Sequence, residues 1–209
     1  MPRITIQVLS FGTLFLFMTA FYGLAGEAQL QQPDEHLLKN GKLFIYKLKP
    51  ESMEGKGYKL IYLVDVPLQV FWKFKTDFDN NYLVSNKYIN SHRFVSRHKN
   101  VVITENVYSS KPGATFRWQT TADSDSYRLA FRLLNPEECG QRYHYGHIQL
   151  EALDAKTKVT QIAYFDFFGV SFWVNYPFYG GMSDFLKYTT RWEQQAAIKF
   201  KDKYIKTAD

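Results

Sequence analysis

The sequence predicts an α+β domain in which a curved antiparallel sheet of about six to seven strands wraps a long C-terminal helix. Three patterns predict it. Gly57 to Asp79 reads as a strand, a proline-started helix and an acidic turn. Ser91 to Phe168 is a run of strand-like segments joined by turns. Ser183 to Tyr204 carries apolar residues at helical spacing.

Tyr58 to Val64 is rich in aromatic and β-branched residues, which suit a pleated surface. Pro67 lacks an N–H and fixes φ, so it belongs at a helix start and not inside a strand. Val70, Phe71 and Phe74 recur at helical spacing, and Asp77 and Asp79 flank Phe78 where that helix must end. A candidate strand over Leu43 to Tyr46 precedes this block, after the turn signal Asn40-Gly41.

Asp79 to Tyr88 is a short irregular or helical piece. Strands follow at Ser91–Arg97, Val101–Tyr108, Ala114–Thr120, Ser126–Leu134, Arg142–Ala152 and Lys158–Phe168. Lys99-Asn100, Lys111-Pro112-Gly113, Ala122–Asp125, the loop around Cys139 and Asp154-Ala155-Lys156 turn the chain between them. Strands so spaced form an antiparallel meander, one face of which must be covered. The last helix can cover it: Phe185, Tyr188, Trp192, Ala196 and Phe200 form one stripe. Ser183 and Asp184 suit its start, and Lys199, Lys201 and Lys203 its end. One helix does not fill a strongly curved sheet, so a cavity is expected between them.

The opening block resembles the START-like (SRPBCC) superfamily, which includes the polyketide cyclases, the birch-pollen-allergen-like proteins and the coenzyme-Q-binding START proteins. The resemblance rests on Asp65-Val66-Pro67, Val70-Phe71-Trp72 and Thr76-Asp77-Phe78, and extends over about residues 38 to 204 in element order. It implies a helix-grip fold and a container for an apolar molecule: a quinone, an isoprenoid, an acyl chain or a sterol-like molecule. It also leaves a cyclase or dehydratase acting in the same pocket as an alternative. A third alternative is an interaction module with a filled core.

The N-terminus reads as a targeting segment. Arg3 is the only charge before Glu27, and Ile4 to Gly26 is apolar with small residues near its end. This describes a secretory signal peptide over residues 1–28, with an uncleaved membrane anchor over residues 4–26 as the alternative. The organisation is then an N-terminal extension over 29–56, a START-like domain over 57–204 and a short tail over 205–209. Export makes the expected location periplasmic or extracellular. Removing residues 1–28 takes away Arg3 and Glu27, so the formal charge of +6 is unchanged. A basic surface suits contact with an anionic membrane or is simply a solvated face. No nucleic-acid partner is expected.

The lone cysteine, Cys139, cannot form an internal disulfide and is expected to be exposed in its turn. No His/Cys/Asp/Glu cluster has metal-site spacing, so no metal and no cofactor is expected. His144 and His147 spell His-x-x-His, but on a strand residues three apart face opposite ways. His144 then goes with Arg142, Gly146 and Ile148, and His147 with Tyr143, Tyr145 and Gln149. His147, His144 and Asp166 are the weak catalytic candidates: a single inward His orients a head group or acts as a base, while Asp166 faces away from Phe165 and Phe167 as outer surface and would be an acid–base group only if the strand twists it inward. His92 and His98, among Arg93, Arg97 and Lys99, read as a solvated basic strand or its turn.

Aromatic residues make up 18% of the chain. Ala114, Phe116 and Trp118 share one strand face opposite Thr115, Arg117 and Gln119, and Tyr127, Leu129, Phe131 and Leu133 oppose Arg128 and Arg132. The candidate ligand-binding residues are Phe116, Trp118, Leu129, Phe131, Tyr145, Phe165, Phe167, Trp173, Tyr176, Tyr188 and Trp192. Of these, Phe165 to Tyr176 fall in an aromatic connection, Phe165 to Tyr179, that reads as a lid or membrane-touching edge, or as ordinary packing. The named catalytic motifs, such as Gly-x-Ser-x-Gly, His-Glu-x-x-His and a phosphate-cradling glycine loop, are missing from the sequence.

Overall fold

A computed structural model of the chain describes residues 33–50, 54–109, 113–167 and 181–206. Eight antiparallel strands form one open sheet, in the order β1-β2-β8-β7-β6-β5-β4-β3. The strands are β1 (Phe44–Leu48), β2 (Lys56–Val64), β3 (Ile89–His98), β4 (Val101–Tyr108), β5 (Thr115–Asp123), β6 (Arg128–Leu133), β7 (Gln141–Leu153) and β8 (Lys156–Phe167). The sequence predicts six to seven; the candidate strand near residue 44 is a real edge strand and brings the total to eight. The helices are α1 (Glu35–Lys39), α2 (Leu68–Thr76) and α3 (Met182–Ile205), with 3-10 turns at Asn81–Ser85 and Glu137–Cys139. No helix among the described residues is long and apolar enough to cross a membrane. The targeting segment lies outside the described residues.

β2 is buried along most of its length because both of its faces are covered. Tyr58, Leu60, Tyr62 and Val64 face the main core, while Ile61 and Leu63 pack with Leu38 of α1 on the other side. This explains an apolar run without alternation, which would otherwise suggest a fully central strand. Pro67 precedes α2 as its N-cap, and Phe71 and Phe74 are fully buried beneath it. Burying each ring contributes roughly 1.5–3 kcal/mol.

Curvature has identifiable causes. β3 carries irregularities between Ile89 and Ser91 and between Phe94 and Ser96, and β7 carries one between Gln141 and Tyr143. Such bulges bend a strand and raise its twist. Gly146 in the middle of β7 lets the backbones close up: a Cβ there would lie 2.0 Å from the Ile162 carbonyl oxygen and 2.8 Å from Phe131 Cζ.

α3 lies across the inner face and buries Leu186, Thr190, Ala196, Ala197 and Tyr204. Its start differs from the sequence expectation. Gly181, at φ 85°, is the N-cap and no side chain caps the helix, so Ser183 has no capping role, while Asp184 does lie in the first turn, where its charge suits the helix dipole. Cys139 also departs from expectation. The 3-10 turn Glu137–Cys139 folds its side chain inward, where it is completely buried with Ala114, Phe116 and Leu133.

Candidate functional site

A cavity of about 400 Å³ lies between the concave face of the sheet and α3. The inward halves of the strands build its floor. Phe116, Trp118 and Thr120 come from β5, Leu129 and Phe131 from β6, and Ala163 and Phe165 from β8. Their neighbours point away: Arg117 bonds Glu105 Oε1 at 2.9 Å on the outer face, and Arg93 holds the other carboxylate oxygen. Alternation along each strand therefore separates an apolar inner wall from an ion-paired outside.

The lid of the cavity comes from α3 and from the segment after α2. Phe74, Tyr82 and Trp192 form an aromatic column, with ring centroids 4.4 Å and 5.9 Å apart. Trp192 Nε1 also donates to Ser85 Oγ at 3.0 Å, fixing α3 against the 3-10 turn. Met182, Phe185 and Leu186 complete the apolar roof.

Among the polar side chains in this wall, three groups stand out. The first joins α2, α3 and β2. Glu193 accepts from the Tyr62 hydroxyl on one carboxylate oxygen and from the Lys75 ammonium on the other. The Lys75 and Glu193 side chains are only 15% and 12% exposed. Burial, and then the Glu193 carboxylate, pushes the Tyr62 phenol well above its ordinary range.

The second group is on β3 and β4. The His92 ring lies 2.7 Å from Asn106 Oδ1 and 2.8 Å from the Phe78 carbonyl oxygen. His92 thus lines the cavity and is not part of a solvated basic strand. Nearby, burial raises the Tyr108 phenol despite hydrogen bonding from Asn106. The Trp118 indole N–H is fully buried and, although close to Tyr108, forms no well-shaped hydrogen bond.

The third group is His144 and Gln141 on β7, with His144 Nδ1 3.1 Å from Gln141 Oε1. Trp118, Phe131 and Phe165 surround the imidazole, at 4.8, 6.3 and 5.2 Å between centroids. Loss of water around the ring lowers its pKa to about 3. His144 is therefore a neutral hydrogen-bonding group at physiological pH. A neutral imidazole that donates from Nδ1 to Gln141 keeps Nε2 as an acceptor.

Of the residues singled out from sequence, Phe116, Trp118, Leu129, Phe131, Phe165, Trp192 and His144 line the cavity. Tyr145 is a correction: it is 39% exposed on the outer face, against Tyr164 and Tyr143. It alternates with His144 and so must face the other way. Tyr188 packs outside the cavity on Tyr88, with the Lys87 ammonium 4.2 Å from its ring centroid. His147 lies on the outer side of β7, where partial burial and the charge of Arg128 lower its pKa. Asp166 faces away from Phe165, as strand alternation places it, and no twist brings it inward as an acid–base group. It is buried, but on the outer side, with Arg142 Nη1 3.1 Å from Oδ2. The β7 irregularity carries Arg142 out of the face it was expected to share with His144. The Phe167 side chain, Trp173 and Tyr176 lie outside the described residues.

Lys75, Glu193, Tyr62, His92, Asn106 and Gln141 were not singled out by the sequence. A signal existed for Lys75, four residues after Phe71 and so on the same helix face. Glu193 shares a face with Thr190, Ala196 and Ala197, but a glutamate there reads as a solvent-facing residue.

No family model and no curated protein sequence matches the chain. Solved structures do match the fold. The Zhui aromatase/cyclase from Streptomyces sp. R1128 superimposes with a TM-score of 0.53 at 12% identity, over 71% of this chain and 94% of that one. TTHA0849 from Thermus thermophilus gives 0.49 at 12% identity, over 73% and 99%. Ara h 8.0201 gives 0.47 at 14% identity, over 77% and 98%. The architecture is the helix-grip α+β fold found in START-like proteins.

Proposed function

We propose that this protein binds an apolar small molecule between the sheet and α3. The cavity carries the reading: about 400 Å³ walled mainly by aromatic and aliphatic side chains, with a few convergent polar groups. That size and composition match small-molecule sites in general. A filled-core interaction module would leave no such space. Burial drives the binding, at roughly 25 cal/mol per Å² of apolar surface removed from water. The resemblance read from sequence points to a quinone, an isoprenoid, an acyl chain or a sterol-like molecule. With an export signal and a basic surface, the protein would carry its cargo outside the cytoplasm and exchange it at a membrane.

Nile red, a neutral solvatochromic dye, tests the reading directly. The expected result is a saturable blue-shifted signal that Ala163→Phe reduces at least about tenfold. Absence of binding, together with an organic extract of the purified protein free of any enriched apolar compound, would overturn it. Intact-mass analysis of the protein secreted from cells tests the export part; cleavage near residue 28 is expected.

A second reading is an enzyme of the cyclase or dehydratase type, favoured by the fold shared with the Streptomyces aromatase/cyclase and by His144 on the cavity wall. At neutral pH the desolvated His144 is a weak base, which suits orienting a substrate better than abstracting a proton.

A further inference from the structure

We infer that the Lys75–Glu193–Tyr62 group selects the charge of the ligand's head: the cavity takes a neutral molecule bearing a hydroxyl or carbonyl oxygen and rejects the same apolar chain ending in a carboxylate. This rests on the cavity being the binding site and adds which chemistry it admits.

Charge balance is the first argument. Each ionised side chain lining the cavity, Lys75, Asp77 and Glu193, has an opposite-sign partner. Lys75 is matched by Glu193 on α3. Asp77 is matched by Lys203, whose Nζ lies 2.7 Å from Oδ2. An anionic head entering here would add a charge with no partner in a desolvated space, which is strongly unfavourable. A carboxylate bonding the remaining N–H groups of Lys75 would sit beside the Glu193 carboxylate, so two anions would share one cation in a desolvated space.

Hydrogen-bonding capacity is the second argument. Both carboxylate oxygens of Glu193 already accept, one from Tyr62 and one from Lys75. The ammonium carries three N–H groups and spends one on Glu193. Its other two are the strongest donors on the cavity wall, and they fit an uncharged acceptor oxygen. The group therefore offers donors without offering net charge. An ester, ketone or alcohol satisfies it, and a plain hydrocarbon leaves it unpaired.

The pair also joins the two helices that close the cavity, so the head would sit against α2 and α3, with the apolar body toward Leu129, Phe131 and Ala163.

Three probes decide the matter with full-length protein at neutral pH: Nile red, a fluorescent conjugated polyene alcohol, and the carboxylic acid of the same chain. The alcohol should bind at least about tenfold more tightly than the acid. Glu193→Gln leaves Lys75 as an unmatched cation, so the alcohol-to-acid preference should fall at least about tenfold or reverse. Should that variant fail to fold, Lys75→Met/Glu193→Met replaces the pair by apolar side chains, a change that buried ion pairs tolerate. It should weaken the alcohol at least about fivefold while retaining Nile red. Equal binding of acid and alcohol by the natural sequence, or an unchanged preference in the variant, overturns the inference. Nile red bound with both polyenes rejected also overturns it and leaves the binding cavity standing. Rejection of all three probes overturns the cavity reading as well.

Discussion

The Tyr204 hydroxyl donates to Asp77 Oδ2 at 2.9 Å, fastening the last turn of α3 to the end of α2. Asn80 Nδ2 and Lys203 Nζ donate to the same oxygen, at 3.0 and 2.7 Å. One carboxylate thus holds the long helix over the cavity from its C-terminal end. Asp77→Ala should destabilise the fold by about 1–2 kcal/mol, allowing for partial solvent screening. Urea unfolding checks this.

The same carboxylate implies an acid limb in stability. Desolvation alone would raise its pKa, but the bonds from Lys203, Asn80 and Tyr204 outweigh it and hold the group below its ordinary range. A depressed folded pKa gives stability that is complete above the unfolded value, about 3.9, and lost as pH falls through the folded value. Thermal unfolding across that window should show a smaller acid loss for Asp77→Ala than for the natural sequence.

His144 acts over a different window. Its folded pKa is about 3, against roughly 6.5 when unfolded. The unfolded chain therefore takes up a proton first, and stability declines as pH falls from about 6.5 toward 3. His144→Gln should flatten that decline, measured as chemical-denaturation midpoints at stepped pH. Ligand binding should meanwhile stay flat from about pH 6 to 8 as far as His144 is concerned, because the ring remains neutral throughout.

Gly146 should not accept any side chain. A Cβ would meet the Ile162 carbonyl oxygen at 2.0 Å, so the β7–β8 backbones would have to part. Gly146→Ala should cost about 1–3 kcal/mol, and Gly146→Val more, by urea unfolding. Little change in the alanine variant would show that the sheet relaxes there at no cost.

The two faces of β7 and its neighbours should behave oppositely in dye binding. Trp118→Ala on the inner wall should weaken Nile red about tenfold or more, while Tyr145→Ala on the outer face should leave it within about twofold. A comparable loss from both would mean that the dye binds outside the cavity.

Much of the fold was legible in the sequence because local physics decides it. Pro67 could only start a helix, turn residues separated the strands, and alternation in β5 and β6 placed Phe116, Trp118, Leu129 and Phe131 on one face. The long helix was legible from its periodicity, although its inward stripe is rotated toward Leu186, Thr190 and Ala197. Tyr188 was misplaced for that reason: it lies on the border of the stripe, and only packing against Tyr88 assigns its side.

The site's polar chemistry was decided by the tertiary structure alone. Lys75 and Glu193 are 118 residues apart, and each reads in isolation as a solvated helix charge. The close packing of α2 and α3 makes them a buried pair. His92 resembles its basic neighbours until the chain brings Asn106 and the Phe78 carbonyl to its ring. Arg142 and Asp166 form their ion pair outside the cavity because an irregularity in β7 breaks the alternation that sequence reasoning depends on. The sequence by itself determined a curved sheet, a covering helix and an apolar inner face, since these follow from periodicity and turn chemistry. Which charges meet inside, and how much space remains, follows from the packing of distant segments, and no local pattern records it.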